Sequence, residues 1–260
     1  MKVVILCGGK GTRLREETEY RPKPMLPIGD RPILWHIMKM YASFGHTEFV
    51  LCLGYKGSII KDFFRNYPWH TSDVTMALGQ GTSVQFHDAH GEQDWRVTLA
   101  ETGEESMTAW RVKQIERHLG DDEHFLLTYG DGVGNVNISD SIAHHRKKGA
   151  ACTLTGLHPP GRFGELRIDD DHNVVSFNEK PQAEGGYING GFMVCSRDLF
   201  RYLPDDPTMM LERAPMDAMI RDGRLAVFKH EGFWQPMDTY QEFSLLNRLW
   251  QEGRAPWKTW

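Results

Sequence analysis

The sequence of 260 residues contains few cysteines, and no two of them form a C-x-x-C pair. The four stand far apart, at positions 7, 52, 152 and 195, and three of them lie inside apolar runs. Structural zinc sites use closely spaced cysteines, and small secreted domains use many disulfides. Cysteine usage therefore predicts reduced thiols in the core of a cytoplasmic protein.

Long apolar runs and strongly basic stretches are also missing. No apolar run approaches the roughly 20 residues that a membrane-spanning helix needs, and Val3 to Cys7 is too short for a secretory signal. The net charge is −5 with both signs interspersed, so the basic footprint of a nucleic-acid-binding protein is absent. We expect no membrane or nucleic-acid partner, and any anionic ligand must be held by a few well-placed cations.

Short apolar runs of strand length alternate with stretches of helical periodicity along the chain. This alternation predicts an α/β fold with a mostly parallel sheet that helices cover on both faces. Glycine-containing turns divide 71–101 into apparent antiparallel strands, and 237–260 is predicted as a helical C-terminal tail. Since the chain has no Ser/Pro-rich linker and no repeat, we expect one domain over 1–260. In such sheets ligands bind beyond the carboxyl ends of the strands.

The first loop in such a position is GGKGTRL, at residues 8–14. It is no Walker loop, because Lys10 precedes Gly11 and no glycine stands five positions earlier. It is no dinucleotide fingerprint either, because Leu14 occupies the position of the third glycine. The remaining pattern, G-G-x-G-T-R, offers backbone N–H groups that can wrap phosphates, and Arg13 adds a cation.

Three further charged residues favour a phosphate site over a plain glycine turn. Lys23 lies between two prolines that stiffen its backbone, and with Arg13 it supplies the cations that a polyphosphate requires. Asp131 follows a predicted strand, and Asp238 lies in a distant loop. Two such carboxylates suit Mg²⁺, which takes one or two protein carboxylates together with phosphates and water.

With these residues the chain resembles the sugar-1-phosphate nucleotidylyltransferases, and within them the glucose-1-phosphate cytidylyltransferases. The resemblance covers essentially the full length. The superfamily blocks are GGKGTRL (8–14) and PKPMLPI (22–28); blocks specific to the cytidylyltransferases are RPILWHIMKMY (31–41), YKG (55–57), SDVT (72–75), YGDGV (129–133), PPGRFGEL (159–166), NEKP (178–181), INGGF (188–192), GFWQPMDT (232–239) and APWKTW (255–260).

The resemblance implies a GT-A-like α/β fold, CTP and α-D-glucose 1-phosphate as substrates, Mg²⁺, and CDP-glucose and pyrophosphate as products. It implies Arg13 and Lys23 as catalytic residues, with Arg13 on the leaving pyrophosphate and Lys23 on the α-phosphate, and Asp131 and Asp238 as metal ligands. The nucleotide-binding residues that it implies are Leu6, Gly8, Gly9, Gly11, Thr12, Arg13, Lys23, Thr108, Arg111 and Gly130. Those implied for the sugar phosphate are Gly164, Glu179, Lys180, Asn189 and Gly190.

One departure from the family pattern lies at the nucleotide segment. Where members usually read T-G-G-R, this chain reads Thr108-Ala109-Trp110-Arg111, and an indole there could crowd the base or re-route the loop. The same reaction with UTP, dTTP or another sugar 1-phosphate therefore stays open. An inactive regulatory homologue is the less favoured alternative, because it would be expected to lose a cation or a metal carboxylate, and Arg13, Lys23, Asp131 and Asp238 are all present. The resemblance also implies a homo-oligomer, with 71–101 and the tryptophan-rich end as candidate contacts.

Overall fold

The computed structural model describes residues 1–11, 14, 18–79, 81, 83–87, 90–158, 165–168, 174–178 and 186–260. The α-helices in this part of the chain are α1 (Ile33–Ser43), α2 (Gly57–Arg65), α3 (Tyr67–Thr71), α4 (Thr108–Gln114), α5 (Ile138–Lys148), α6 (Ala214–Arg221) and α7 (Tyr240–Gln251). The strands are β1 (Val3–Leu6), β2 (Pro27–Ile28), β3 (Arg31–Pro32), β4 (Glu48–Leu53), β5 (Val74–Ala77), β6 (Ser83–Phe86), β7 (Arg96–Glu101), β8 (His124–Tyr129), β9 (Gly132–Gly134), β10 (Cys152–Leu157), β11 (Glu165–Ile168), β12 (Val174–Asn178), β13 (Ile188–Asn189), β14 (Met193–Ser196), β15 (Leu225–His230) and β16 (Trp234–Pro236).

Eight strands form a central sheet in the order β13-β10-β14-β8-β1-β4-β7, with β15 paired to β10. β1 lies between β8 and β4 and runs parallel to both, β7 is parallel to β4, and β15 is parallel to β10. The antiparallel members are β13 and β14. The predicted mostly parallel α/β fold is therefore confirmed.

The side chains of β1 show why its sequence is apolar throughout. Val3 and Ile5 belong to one hydrophobic cluster, and Val4 and Leu6 belong to a second cluster on the opposite face. Helices α1 and α7 contribute to the first cluster, and helices α4 and α6 contribute to the second. A parallel strand covered on both faces requires this continuous apolar run instead of alternation.

The segment 71–101 differs from its prediction in one strand. β5 and β6 do form an antiparallel hairpin, but β7 joins the edge of the central sheet and runs parallel to β4 over its full length. Val97 and Leu99 pack against one core cluster and Ala100 belongs to the other, so β7 has buried side chains on both faces. The insertion is therefore shorter than predicted, because its last apolar run belongs to the main sheet.

The C-terminal segment fastens the hairpin of β2 and β3 to the body of the protein. Within the predicted helical tail, α7 ends at Gln251, and the chain beyond it folds back so that Trp257 is fully buried. Asn247 of α7 donates to the Pro27 carbonyl at 3.1 Å and accepts from the N–H of Gly29 at 2.9 Å. This anchorage matters for the site because the hairpin directly follows Lys23.

The cysteine prediction agrees with the structure, where all four thiols are buried and free. Cys152 and Cys195 face each other on neighbouring strands, with their sulfur atoms 3.8 Å apart. In the part of the chain that is described, no helix has the length and apolar character that spanning a membrane would require.

Candidate active site

A cleft of about 730 Å³ opens at the carboxyl ends of β1 and β8, two neighbouring strands in the middle of the sheet. Its walls include the glycine-rich loop after β1, the turn Tyr129-Gly130-Asp131 after β8, and the segment 104–108. Lys23 and Asp238 line it from two other parts of the chain. The structure thus gathers side chains from distant sequence positions at the sheet edge where parallel α/β folds bind ligands.

Lys23 stands among the carboxylates of this cleft. Its Nζ donates to Asp131 Oδ2 at 2.6 Å and also pairs with Asp238 Oδ1. Burial alone lowers the pKa of Lys23, but Asp131 and Asp238 outweigh burial and raise the pKa above its ordinary value. Lys23 is therefore a fixed ammonium group held between two carboxylates.

Local backbone structure explains why the two aspartates meet. β9 and β16 form an antiparallel ribbon; Asp131 immediately precedes β9 and Asp238 follows β16. The Met237 N–H donates to the Asp131 carbonyl at 2.8 Å, which ties the two segments together beside the ribbon. Thr239 then caps α7 in a capping box with Glu242, whose carboxylate also accepts from the Asp238 N–H at 2.7 Å. The position of Asp238 is set by a helix start on one side and a strand on the other.

Lys23 is held on a similarly rigid segment. It begins a short 3-10 helix, Lys23–Met25, that follows the extended residue Pro22. Pro24 packs beside Gly130, where an added Cβ would lie 3.0 Å from the proline ring. The predicted stiffness of the Pro-Lys-Pro sequence agrees with this packing, which fixes Lys23 relative to the strand end that carries Asp131.

Arg111 lies beneath the glycine-rich loop and is only 4% exposed. Its guanidinium donates to five acceptors, namely the carbonyls of Leu53 (2.9 Å), Gly103 (2.7 Å), Gly8 (3.1 Å) and Glu104 (3.2 Å) and the Thr102 hydroxyl (2.8 Å). Burial lowers the pKa of this guanidinium. Arg111 therefore joins the loop after β1 to the turn that begins the opposite wall, and its role in binding a nucleotide stays a prediction.

Gly8 has no room for a side chain. A Cβ there would overlap the Arg111 guanidinium, which its five acceptors hold in place. We expect Gly8→Ala to lower the free energy of unfolding by about 1–3 kcal/mol, as overpacking usually does, when it is measured by urea denaturation. Gly9→Ala is the stability control, because no described atom lies within 4 Å of a Cβ at that position. Equal stability of the two variants would contradict the close packing of Gly8 against the Arg111 guanidinium.

The departure at Thr108-Ala109-Trp110 leaves the cleft open. Thr108 begins α4 and lines the cleft, while Ala109 is fully buried in the core cluster behind it. Trp110 is half-buried and is not among the described residues that line the cleft. The indole therefore does not crowd this wall, because the helical turn directs it away from the side on which Thr108 and Arg111 lie.

The residues predicted for the nucleotide are placed in part. Leu6, Gly8, Gly9, Gly11 and Gly130 line the cleft together with Thr108 and Arg111. Gly11 has a φ of +61°, a left-handed conformation that favours glycine. Thr12 and Arg13 lie outside the described residues.

The residues predicted for the sugar phosphate lie next to the cleft or outside the description. Asn189 ends β13, and its side chain accepts from the Gly191 N–H at 2.9 Å. The Gly190 carbonyl accepts from the Trp234 indole at 2.8 Å. A Cβ on Gly191 would lie 2.6 Å from the Tyr129 ring, so this segment rests directly on a residue of the cleft wall. Gly164, Glu179 and Lys180 are not among the described residues.

Three charged side chains of the cleft, those of Lys10, Glu105 and Glu212, have no role predicted from the sequence. Glu212 lines the cleft and accepts from the hydroxyls of Tyr129 and Thr108. Lys10 and Glu105, on opposite walls, form an exposed ion pair of 2.8 Å. Glu105 and Glu212 belong to none of the motifs above, and Lys10 lies in GGKGTRL without a partner nearby in the sequence, because each of these residues lies far along the chain from its partner.

The pair Asp131 and Asp238 fits a divalent cation of the magnesium type. Both carboxylates reach the same ammonium group, so their oxygens converge on one small region. Among the described residues no three His, Cys, Asp or Glu side chains gather into a metal cluster. A pair of hard oxygen ligands suits a divalent cation that takes its remaining ligands from elsewhere.

Comparisons with known proteins agree with this architecture. The family model "Nucleotidyl transferase" matches residues 2–243. The chain is 48% identical to the glucose-1-phosphate cytidylyltransferase of Salmonella typhi over 260 residues, covering 100% of both chains, and equally similar to that of Salmonella typhimurium. Among solved structures, HddC from Yersinia pseudotuberculosis superposes with a TM-score of 0.68 at 21% identity, covering 96% of this chain and 99% of that one. The last comparison bears on the fold alone.

Proposed function

Because the chain belongs to the glucose-1-phosphate cytidylyltransferases within the nucleotidyl transferase family, we propose that it transfers a cytidylyl group from CTP to α-D-glucose 1-phosphate. The products are CDP-glucose and pyrophosphate. The observation that carries the proposal is the arrangement of Lys23, Asp131 and Asp238 around one cleft, opposite a glycine-rich loop. These are the charges that moving a phosphoryl group between two anions requires.

The reaction needs no nucleophile from the protein. A phosphate oxygen of glucose 1-phosphate forms a bond to the α-phosphorus of CTP, and the bond from that phosphorus to the bridging oxygen of pyrophosphate breaks. The attacking oxygen already carries charge, so little base catalysis is required. The barrier lies in aligning two anions and in stabilising the charge that develops, which are tasks for positioning and preorganised electrostatics.

We assign these tasks to particular side chains. Lys23, a compact cation on a stiff segment, contacts the α-phosphate, and Arg13 contacts the departing pyrophosphate as a planar fork. Asp131 and Asp238 would hold Mg²⁺, which supplies charge neutralisation at the phosphates when it is bound. Lys23 must then exchange its carboxylate partners for the α-phosphate when substrates enter, since its ammonium group pairs with both carboxylates.

The deciding experiment is a pyrophosphate-release screen of four nucleoside triphosphates against several sugar 1-phosphates. We expect the pair CTP and glucose 1-phosphate to have the highest kcat/KM, and release to stop when EDTA removes the metal. A higher kcat/KM for UTP or dTTP, or for another sugar 1-phosphate, would overturn the specificity. No release from any pair would overturn the reaction.

We further propose that the chain works as a cytoplasmic homo-oligomer. Free thiols at all four cysteines favour a reducing compartment. The hairpin of β5 and β6 exposes large apolar side chains on a two-stranded sheet, namely Met76 (45%), Leu78 (83%), Val84 (41%) and Phe86 (40%). An isolated hairpin of two strands is marginally stable in water, so a covering surface is needed. A second copy of this chain supplies it in our proposal.

The oligomer is tested by light scattering on a hairpin variant. We expect the wild type to be larger than a monomer, and Leu78→Asp combined with Val84→Asp to dissociate it, because charges would be buried in an apolar contact. Ile220→Asp is the matched control, since Ile220 is 60% exposed on α6, outside the hairpin. A monomeric wild type, or dissociation by both changes, would contradict the hairpin as the contact.

A further inference from the structure

Glu212 is a carboxylate of the cleft that the reaction above leaves without a task. It lies between the core residue Leu211 and helix α6, in a segment that packs along the start of α4. Two backbone bonds hold this segment, from Met107 N to Pro207 O at 2.8 Å and from Ala109 N to Met209 O at 3.2 Å. The segment that contains Glu212 is therefore held in place by main-chain hydrogen bonds to residues 107 and 109.

Two hydroxyl groups orient the carboxylate. Thr108 Oγ1 donates to Glu212 Oε2 at 2.7 Å and itself accepts from the Leu211 N–H at 2.8 Å, while Tyr129 donates to Oε1. Burial and, next, the charge of Glu212 raise the pKa of Tyr129, so its hydroxyl remains a donor. Each carboxylate oxygen thus has one donor, and an ionised carboxylate can accept about four hydrogen bonds.

The charges nearby distinguish Glu212 from three other carboxylates of the cleft, Asp131, Asp238 and Glu105. Asp131 and Asp238 pair with Lys23, and Glu105 pairs with Lys10. Among the described residues no Lys, Arg or His side chain pairs with Glu212, although it lines the same cleft. A carboxylate that is oriented by hydroxyls and has acceptor capacity left is a usual partner for a sugar hydroxyl, as in the carboxylate that binds a ribose in dinucleotide sites.

Glu212 also connects the two sides of the cleft. Thr108 belongs to the wall that contains Arg111 and Gly8, and Tyr129 supports Gly191 in the segment of Asn189 and Gly190. We propose that Glu212 binds a hydroxyl of a sugar ring in the transfer reaction, either the ribose of the nucleotide or the glucose of the sugar phosphate. The proposal rests on the proposed function, because both rings are those of its substrates.

The test combines Glu212→Gln with substrates that lack one hydroxyl at a time: 2′-deoxy-CTP, 3′-deoxy-CTP, and glucose 1-phosphates deoxygenated at single ring positions. With full substrates we expect the variant to lose about 10- to 100-fold in kcat/KM, the usual loss for a hydrogen bond to a charged group. With the one analogue that lacks the bound hydroxyl, wild type and variant should become equal. The analogue with which the two enzymes have equal kcat/KM identifies the sugar ring that Glu212 binds.

Controls separate binding from a structural role. Tyr129→Phe keeps the ring against Gly191 and removes one hydroxyl that orients Glu212. We therefore expect a smaller loss of kcat/KM, which should disappear with the same deoxy analogue as for Glu212→Gln. Glu116→Gln, a change at a half-exposed carboxylate on the surface, should leave kcat/KM unchanged. An equal loss by Glu212→Gln with every analogue, or no loss at all, would overturn the proposal. Absence of turnover by the wild type would overturn the transfer reaction together with this role, whereas wild-type turnover with a uniform loss overturns Glu212 alone.

Discussion

Replacing Lys23 with alanine is expected to lower kcat by roughly 10²–10³-fold, the usual effect of removing one preorganised charge from a transition state. The side chain of Lys23 is only 12% exposed, and its ammonium group is fixed between Asp131 and Asp238. Alanine removes both the charge and its fixed position. Turnover is measured by pyrophosphate release at saturating substrates. Lys61→Ala, which removes an exposed lysine paired with Glu101, is the matched control.

The same variant should change how the protein responds to magnesium. Without Lys23 the two aspartates lose the ammonium group that lies between them, and each then raises the energy of the other's charge. A divalent cation relieves that repulsion and no longer competes with an ammonium group. We therefore expect Mg²⁺ to raise the thermal midpoint of Lys23→Ala by more than that of the wild type. Wild-type kcat in the variant would remove Lys23 from the mechanism, and equal magnesium responses would contradict the shared carboxylate site.

The sequence predicts the centre of this fold better than its edges. β1, β4 and β8 are predictable because a central strand buried on both faces is a nearly continuous apolar run, as residues 3–6, 49–53 and 125–127 show. The sequence favours an antiparallel insertion for β7 because an edge strand has a mixed sequence, as Arg96 and Glu101 at its two ends show. The hydrogen bonds that attach β7 to β4 lie between segments distant in the chain, and side-chain periodicity does not report them.

The candidate site, too, could be predicted from the sequence only in part. Residue types and stiff flanking segments singled out Lys23, Asp131 and Asp238, yet only the fold shows that the three meet at one point. Arg111 is expected at the nucleotide by resemblance, and the sequence cannot tell that its guanidinium turns back under Gly8. The roles of Thr12, Arg13, Gly164, Glu179 and Lys180 stay predictions, because those residues lie outside the described part.

Replacing Trp257 with alanine is expected to lower the free energy of unfolding by about 3–5 kcal/mol, the usual cost of removing a buried tryptophan. Its ring is fully buried and stacks near Phe233 and Trp250, with centroids 5.7 and 6.4 Å away. Urea denaturation measures the loss. Trp257→Phe, which keeps an aromatic ring in the same cavity, should lose clearly less stability. A loss below about 1 kcal/mol for the alanine variant would show that the segment after α7 contributes little to the core.

The pH dependence of that loss gives a second readout, because Trp257 covers His36. The indole donates to His36 Nδ1 at 3.4 Å while Nε2 contacts the Ile28 carbonyl at 3.0 Å, so the ring is held neutral, and burial lowers its pKa to about 4.

The unfolded chain binds this proton at about pH 6.5, so wild-type stability should decline as the pH falls from about 6.5 towards 4. Removing the indole takes away the group that contacts Nδ1, so we expect water to reach this side of His36 and the folded-state pKa to move towards the unfolded value. Trp257→Ala should therefore lose much of this decline, and an unchanged slope would mean that water does not reach the histidine. His36 contacts Ile28 in the hairpin that follows Lys23, so the packing of the C-terminal segment around His36 is connected to the position of Lys23.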